Sequence, residues 1–132
     1  MDRLRILVVD DESALTSLLE KYLQRMGFEV ESASDPQVAL ERFRAAKIPF
    51  RLVLADLTMP GLSGDVLLSM MLRSDPNVMG ILSSGYPAAG KSLKKEFGGR
   101  IEFLQKPFLP RMLAETINRL IGASYSVSKS AT

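Results

Sequence analysis

The sequence contains no cysteine and no histidine among its 132 residues. Without cysteine there can be no disulfide, no thiolate zinc site and no cysteine nucleophile. Without histidine there can be no imidazole-ligated metal, no Ser-His-Asp hydrolysis and no histidine that carries a phosphoryl group. Any chemistry of this chain must therefore depend on carboxylates, hydroxyl groups and lysine.

The sequence also lacks a strong net charge and a long hydrophobic run. Lys and Arg number 17 against 15 Asp and Glu, and the net charge of +2 is too small to indicate nucleic-acid binding. The first apolar run ends at Asp10, which is too early for a signal peptide or a membrane span. We therefore expect a cytoplasmic protein that binds no nucleic acid directly and no membrane.

The composition predicts one folded domain with a different C-terminal end. Apolar residues make up 46% of the chain and charged residues 24%, which is typical of a globular domain. After Gly122, serine stands at positions 124, 126, 128 and 130, and apolar residues become few. We therefore predict a domain over residues 1–122 and a disordered tail or linker over 123–132.

Five short apolar runs alternate with five segments of helical spacing. The runs are nearly continuous in Val, Ile and Leu, as is typical of parallel strands that are covered on both faces. This alternation predicts a doubly wound α/β fold, in which five helices cover a five-stranded parallel sheet. The predicted strands are Leu4–Val9, Phe28–Ala33, Arg51–Ala55, Val78–Ser83 and Ile101–Gln105.

Local signals mark several helix ends. Gly27 follows the first helical segment, where a glycine commonly ends a helix. Asp35 and Pro36 open the second segment as a cap followed by a proline in the first turn. The fourth segment, around Lys91–Phe97, is only weakly amphipathic. The apolar positions that we assign to the core include Leu18, Val38, Val66, Leu109 and Met112.

Polar residues stand at the carboxyl ends of the predicted strands, where doubly wound sheets bind their ligands. Asp10 and Asp11 follow the first strand, Asp56 the third, Ser84 the fourth and Lys106 the fifth. Crowded carboxylates repel one another unless a cation joins them, and Mg²⁺ is the oxygen-loving cation that suits them. With a lysine opposite, the set predicts transfer of a phosphoryl group onto an aspartate.

Each of these residues also has an ordinary structural explanation. Asp10 and Asp11 can cap the first helix, Asp56 can be a loop residue, Ser84 can belong to a turn, and Lys106 can be a solvated lysine. What favours a shared site is that all of them fall at the same predicted edge of the sheet.

Four segments resemble the receiver domain of two-component response regulators, and they occur in the order of that family. The similarity extends from Arg5 to Ile121. It implies a flavodoxin-like, CheY-like sheet with the strand order 2-1-3-4-5. The SSGYP and LQKPF strings look more like receivers fused to hybrid histidine kinases than like those of DNA-binding regulators. The four matching segments are LRILVVDDE, LVLADLTMPGLSG, ILSSGY and FLQKPF.

The resemblance implies a phosphoacceptor and a set of metal ligands. By motif, Asp56 is the aspartate that accepts the phosphoryl group. Asp11 is implied to ligate Mg²⁺ directly, and Asp10 to act through water. Asp56 and the backbone carbonyl of Thr58 complete the implied protein ligands.

The resemblance also implies a conformational switch. Ser84 matches the switch hydroxyl and Phe103 the switch aromatic residue, while Lys106 is the lysine that contacts the phosphate. Ser83 is expected to point away from the site, because adjacent residues of a strand face opposite sides. The Lys106–Pro107 peptide bond is expected to be cis.

The implied activity is signalling rather than enzymatic turnover. A sensor histidine kinase or a histidine phosphotransfer domain would donate the phosphoryl group. The chain would contribute only autocatalytic transfer and slow self-dephosphorylation. The surface formed by the fourth helix, fifth strand and fifth helix would then change, and the same surface is a candidate homodimer face.

Two other functions share this fold. A flavodoxin-like electron carrier would need a phosphate-binding loop after the first strand, where Asp10, Asp11 and Glu12 would repel a phosphate. A phosphohydrolase with an aspartyl-phosphate intermediate would usually carry a second acid two residues after its nucleophile, where this chain has Thr58. Both alternatives are therefore less favoured than a receiver domain.

Overall fold

The computed structural model describes residues 3–86 and 88–130. Within these residues, five strands and five helices alternate along the chain, and a short 3-10 helix at Gly98–Arg100 precedes the last strand. The elements are β1 (Arg5–Val9), α1 (Ser13–Arg25), β2 (Glu29–Ala33), α2 (Pro36–Ala45), β3 (Leu52–Asp56), α3 (Gly64–Ser74), β4 (Met79–Ser84), α4 (Lys91–Phe97), β5 (Ile101–Gln105) and α5 (Pro110–Ser130).

The five strands form one parallel sheet in the order β2-β1-β3-β4-β5. This confirms both the predicted fold class and the strand order that the family resemblance implies. The register pairs Val9 of β1 with Ala55 of β3, and Ser84 of β4 with Gln105 of β5. All strands run in one direction, so the residues that end β1, β3, β4 and β5 meet at one edge.

The two faces of the sheet are buried under different helices. Successive strand residues alternate between the faces, so Ile81 packs in one cluster and Leu82 in the other. Each fully buried aliphatic side chain contributes roughly 1.5–3 kcal/mol to folding. The α1/α5 face includes Leu19, Leu23, Leu113 and Ile117, and the α2/α3/α4 face includes Ala39, Leu67, Met71 and Leu93.

The local signals at helix ends are confirmed. Gly27 follows Met26, the C-cap of α1, and adopts a φ of 99°, a conformation that favours glycine. The Asp35 carboxylate accepts a hydrogen bond of 3.0 Å from the backbone N–H of Gln37, and Pro36 occupies the first turn of α2. Asp35 and Pro36 therefore begin the helix as the sequence predicts.

Several residues that we assigned to the core are exposed instead. Leu18 keeps 53% of its surface exposed, and Val38, Val66, Leu109 and Met112 are also exposed. A helix that lies on a sheet buries one stripe of its surface, and residues at the margin of that stripe remain in water. The core assignment was therefore wrong at these positions.

The last helix extends beyond the predicted domain limit. Its backbone runs to Ser130, whereas the composition predicts a tail from residue 123. Residues 131–132 lie outside the described residues, and the domain limit at Gly122 stays a prediction. Among the residues searched, no helix has the length and hydropathy that a membrane span needs.

Candidate functional site

Three carboxylates meet at the carboxyl edge of the sheet. Asp10 follows β1 and Asp56 ends the neighbouring β3, so the strand order brings the two side chains together. Carboxylate oxygens of Asp10, Asp11 and Asp56 all lie within 4.8 Å of one another. Asp10 and Asp56 are buried and Asp11 is exposed. This cluster of oxygen ligands, open at Asp11, fits a hard divalent cation.

Lys106 follows the edge strand β5, and its side chain extends to the three carboxylates. Its ammonium donates to Asp10 Oδ2 at 3.0 Å and lies 3.3 Å from Asp56 Oδ1. Its backbone N–H donates to the Ser84 carbonyl at 2.8 Å, which fixes the loop after β5. The peptide bond between Lys106 and Pro107 is cis, as predicted.

Burial and neighbouring charges shift both members of the Asp56–Lys106 pair. Burial raises the pKa of Asp56 most strongly, the negative charges of Asp10 and Asp11 raise it further, and Lys106 opposes them. Burial by itself lowers the pKa of Lys106, but its bonds to Asp10 and Asp56 outweigh that effect and the pKa rises. The lysine is therefore held as a cation beside carboxylates that crowd one another.

Gly64 lets the helix α3 begin directly against the end of β3. A Cβ atom at this position would lie 2.1 Å from the backbone oxygen of Asp56, which no side chain can accommodate. The Gly64 N–H also donates to the Leu57 carbonyl at 2.9 Å, so the intervening loop folds back. Our sequence analysis missed this role, although a glycine at the start of a helix was the available signal.

Thr58 lies in the loop between Asp56 and Gly64, and it is exposed. Its place two residues after Asp56 puts it at the same edge of the sheet as the carboxylates. The role of its backbone carbonyl as a metal ligand stays a prediction.

The two serines of β4 face opposite sides of the sheet. Ser84 follows Leu82 on the α2/α3/α4 face, and its Oγ accepts a hydrogen bond of 3.0 Å from the Tyr86 N–H. Ser83 follows Ile81 on the α1/α5 face, which Asp56 shares because it follows Leu54. We expected Ser83 to point away from the site, but it lies on the same face of the sheet as Asp56.

The comparison with protein families decides the identity of the fold. Residues 6–118 match the response regulator receiver domain. The chain belongs to this family. Receiver domains are the signalling phosphoacceptors of two-component systems, and they interact with histidine kinases or phosphotransfer partners. The family is also known to bind Mg²⁺ at an acidic pocket, and these properties favour a receiver over the two alternative functions.

Relatives and solved structures agree with this assignment. The receiver domain is 27% identical over 117 residues to the chemotaxis protein CheY of Thermotoga maritima, covering 88% of this chain and 96% of that protein. A solved CheY-like receiver domain from Methanospirillum hungatei has a TM-score of 0.81 and 28% identity, covering 92% of this chain and 96% of that one.

A longer relative contains a similar segment. The chain is 37% identical over 107 residues to protein-glutamate methylesterase/protein-glutamine glutaminase 1 of Anaeromyxobacter dehalogenans. The match covers 80% of this chain but only 30% of that protein. The similarity therefore does not show that the receiver domain is catalytic.

Phe103 lies on the α2/α3/α4 face of this receiver domain. The ring is partly buried against that cluster, beside Gly90, where an added Cβ would lie 3.6 Å from the phenylalanine. A groove of about 260 Å³ opens between α4 and β5 next to the ring, and Lys91, Lys94 and Glu102 line it. Phe103 and Ser84 thus lie on the same side of the sheet, facing α4.

We expect Asp56→Asn to stabilise the unphosphorylated domain at pH 7 in the absence of metal. The pKa of Asp56 is raised above its ordinary value of 3.8, so its ionised form opposes folding. The stability that a raised carboxyl pKa provides is complete below the unfolded pKa and is lost as pH rises through the folded pKa. Solvent screening keeps the effect small, roughly 3–5 °C in melting temperature.

The measurement compares thermal melting of the two proteins from pH 7 to pH 4. The advantage of Asp56→Asn should shrink as the pH falls through the folded pKa of Asp56, because the wild-type carboxyl becomes neutral there. A difference that stays constant over the whole range would contradict the raised pKa.

Proposed function

We propose that this receiver domain accepts a phosphoryl group on Asp56 from a sensor histidine kinase or a histidine phosphotransfer domain. The observation that carries the proposal is the Lys106 ammonium 3.3 Å from Asp56 Oδ1, within a group of three carboxylates. A lone acid at the end of a central strand, between a cation and further acids, has the surroundings that a phosphoacceptor needs.

In the transfer, a carboxylate oxygen of Asp56 attacks the phosphorus atom of the donor. A new O–P bond forms while the N–P bond of the phosphohistidine breaks, and the leaving imidazole nitrogen keeps the electron pair and takes up a proton. Lys106 stays protonated and donates to a phosphoryl oxygen. Because the charge on the transferred group is spread over its oxygens, a fixed ammonium beside it stabilises the transition state.

Asp10, Asp11, Asp56 and the Thr58 carbonyl would hold a Mg²⁺ ion. Their oxygens are hard ligands, and the carboxylates of Asp10, Asp11 and Asp56 lie close enough together to share one cation. When bound, the ion neutralises charge on the carboxylates and on the phosphoryl oxygens. Asp11 is the exposed carboxylate of this set, so it can bind an ion that keeps most of its water.

We place the response to phosphorylation on the surface formed by α4, β5 and α5. The Ser84 hydroxyl already accepts from the Tyr86 N–H, and a hydroxyl can at the same time donate its own proton, here to a phosphoryl oxygen on Asp56. That bond would draw the end of β4 toward Asp56. Phe103 would then rotate into the space that is left, which changes the groove beside α4.

The short helix α4 suits such a movement. It has seven residues, and Leu93 is its one buried residue. Outside the core it is held by the exposed Arg73–Glu96 pair at 2.7 Å and by Lys94, which lies 3.6 Å from Glu102. The Lys94 ammonium also donates to the Ile101 carbonyl at 2.9 Å. Exposed ion pairs contribute little to stability, so few contacts oppose a shift of this helix.

The same proposal includes the cellular setting. A two-component receiver meets its kinase in the cytoplasm, and the α4-β5-α5 surface would serve either a downstream partner or a second copy of this domain. The SSGYP and LQKPF segments resemble those of receivers in hybrid histidine kinases, which favours a receiver attached to a kinase.

The proposed phosphorylation is tested by incubating the protein with Mg²⁺ and acetyl phosphate. The mass of the wild type should increase by one phosphoryl group, and the mass of Asp56→Asn should not change. Sustained release of phosphate from external phosphoesters would instead support a hydrolase.

We expect Ser84→Ala to accept phosphate but to lose most of the structural response. The alanine removes the hydroxyl that ends β4 on the same face as Phe103. A phosphoryl group can bias the domain only through contacts that differ between the two states. Amide chemical shifts of residues 91–103 should change on addition of beryllofluoride in the wild type and much less in the variant.

Ser84→Thr is the matched control, because it keeps the hydroxyl. It should restore the wild-type pattern of shifts. If Ser84→Ala shows the full wild-type response over residues 91–103, the coupling does not run through this hydroxyl.

A further inference from the structure

Ser83 carries a buried hydroxyl that neither the fold nor the proposed mechanism uses. Its exposed fraction is 2%, and within the described part of the chain its Oγ has no hydrogen-bond partner. A buried hydroxyl without a partner loses its hydration and gains nothing in return. Native proteins keep few such groups, and functional sites are one of the places where they occur.

The position of Ser83 points to the phosphorylation site. The register pairs it with Asp56 on one side and with Leu104 on the other. It follows Ile81 on the α1/α5 face, and Asp56 follows Leu54 on that same face. Ser83 is therefore the last residue of β4 on the sheet face that carries the phosphoacceptor.

The side chain of Lys106 starts on this face and extends past β4, because Lys106 follows Leu104, which packs in the same cluster. Lys106 follows β5, whereas the carboxylates that its ammonium contacts belong to β3 and to the end of β1. The strand order places β4 between them. An ammonium has three N–H donors, and Asp10 and Asp56 account for two. The lysine thus extends past β4, whose last residue on the α1/α5 face is Ser83. The Ser83 Oγ has no hydrogen-bond partner among the described residues and can accept the third N–H.

We propose that Ser83 is a positioning residue of this site, whose hydroxyl accepts a hydrogen bond from the Lys106 ammonium during the transfer and in the phosphorylated state. A phosphoryl group on Asp56 draws the ammonium away from Asp10 toward the new oxygens. Ser83 then replaces Asp10 as an acceptor and holds the ammonium in line with the phosphoryl group. This inference rests on the proposed phosphorylation of Asp56.

The proposal predicts effects of opposite sign for Ser83→Ala. The unphosphorylated variant should melt roughly 2–5 °C higher than the wild type, because an unpaired buried hydroxyl has been removed. Phosphorylation by acetyl phosphate in Mg²⁺ should be about tenfold slower, the size of one hydrogen bond to a charged group. A residue with a merely structural role would not give a gain in stability with a loss of rate.

Ser83→Thr and Ser83→Val separate the hydroxyl from the shape of the side chain. The two variants have the same volume, so any crowding of the buried face affects both equally. If packing is unaffected, Ser83→Thr should be phosphorylated within about twofold of the wild-type rate. Whatever the packing effect, Ser83→Val should be phosphorylated about tenfold more slowly than Ser83→Thr.

Thr116→Val is the control for losing a buried hydroxyl elsewhere. Thr116 is also 2% exposed, but its Oγ1 donates to the Met112 carbonyl at 2.9 Å. This variant should lose stability and keep the wild-type rate of phosphorylation, which is the reverse of the result expected for Ser83→Ala.

Three outcomes would overturn the proposal. Equal rates for the Thr and Val variants would show that the hydroxyl does not act. A lower melting temperature for Ser83→Ala would show that the hydroxyl is already bonded, for example to a buried water, and serves the fold. If the wild-type protein accepts no phosphoryl group, both the proposed function and this inference are wrong. If the wild type is phosphorylated but one of the first two outcomes is observed, only this inference is wrong.

Discussion

Asp56→Asn should abolish phosphorylation of this receiver domain by acetyl phosphate. Asparagine keeps the size of the side chain but replaces the nucleophilic carboxylate by a neutral amide, so the site loses its acceptor without losing its packing. Intact mass spectrometry should show one added phosphoryl group on most wild-type molecules and none on the variant. We expect the loss to be complete within detection, at least a hundredfold.

The specificity of that result depends on a second aspartate variant. Asp75→Asn changes an aspartate that follows α3 and accepts from the Asn77 N–H at 2.9 Å, away from the carboxyl edge of the sheet. It should be phosphorylated as the wild type is. Undiminished labelling of Asp56→Asn would place the phosphoacceptor at another residue and would overturn the assignment.

Asp11→Ala should lose Mg²⁺ binding and phosphorylation together. Asp11 is the exposed carboxylate of the group, and its removal leaves the buried Asp10–Lys106–Asp56 contacts in place. The wild type should bind Mg²⁺ weakly, because several ligands of the ion remain water. The rate of phosphorylation should fall by about a hundredfold or more, since the ion and not the protein fold is lost.

A titration of amide shifts with Mg²⁺ checks the first effect, and the rate of mass gain checks the second. Glu12→Ala is the matched control, because it removes the neighbouring exposed acid at the start of α1, outside the carboxylate group. It should bind Mg²⁺ as the wild type does. Identical titration curves for wild type and Asp11→Ala would place the metal elsewhere.

The order of elements could be predicted because its signals are local. Gly27, Asp35 and Pro36 act on the backbone within one turn of their own position, so their effects do not depend on the rest of the fold. The bounds of α4 also agree with the predicted segment at Lys91–Phe97. The strand order, in contrast, came from the family resemblance, because periodicity alone does not say which strands are neighbours.

The faces of the helices could be predicted only in part. The helical period marks an apolar stripe, but the width of the stripe that is buried depends on how the helix lies against the sheet. Leu18 and Val38 fit the period and are nevertheless exposed. The requirement for Gly64 has the same origin, since only the folded chain brings the start of α3 against the Asp56 carbonyl.

The sequence by itself determined which chemical groups end the strands. Asp10, Asp56, Ser84 and Lys106 follow from the apolar runs before them, because a run ends where a polar residue begins. Only the tertiary structure decided how these groups meet: Lys106 crosses β4 to contact Asp10 and Asp56, and Ser83 rather than Ser84 shares their face. Alternation along a strand is a local property, but which face a given side chain shares with a distant residue depends on the register between strands, which only folding sets.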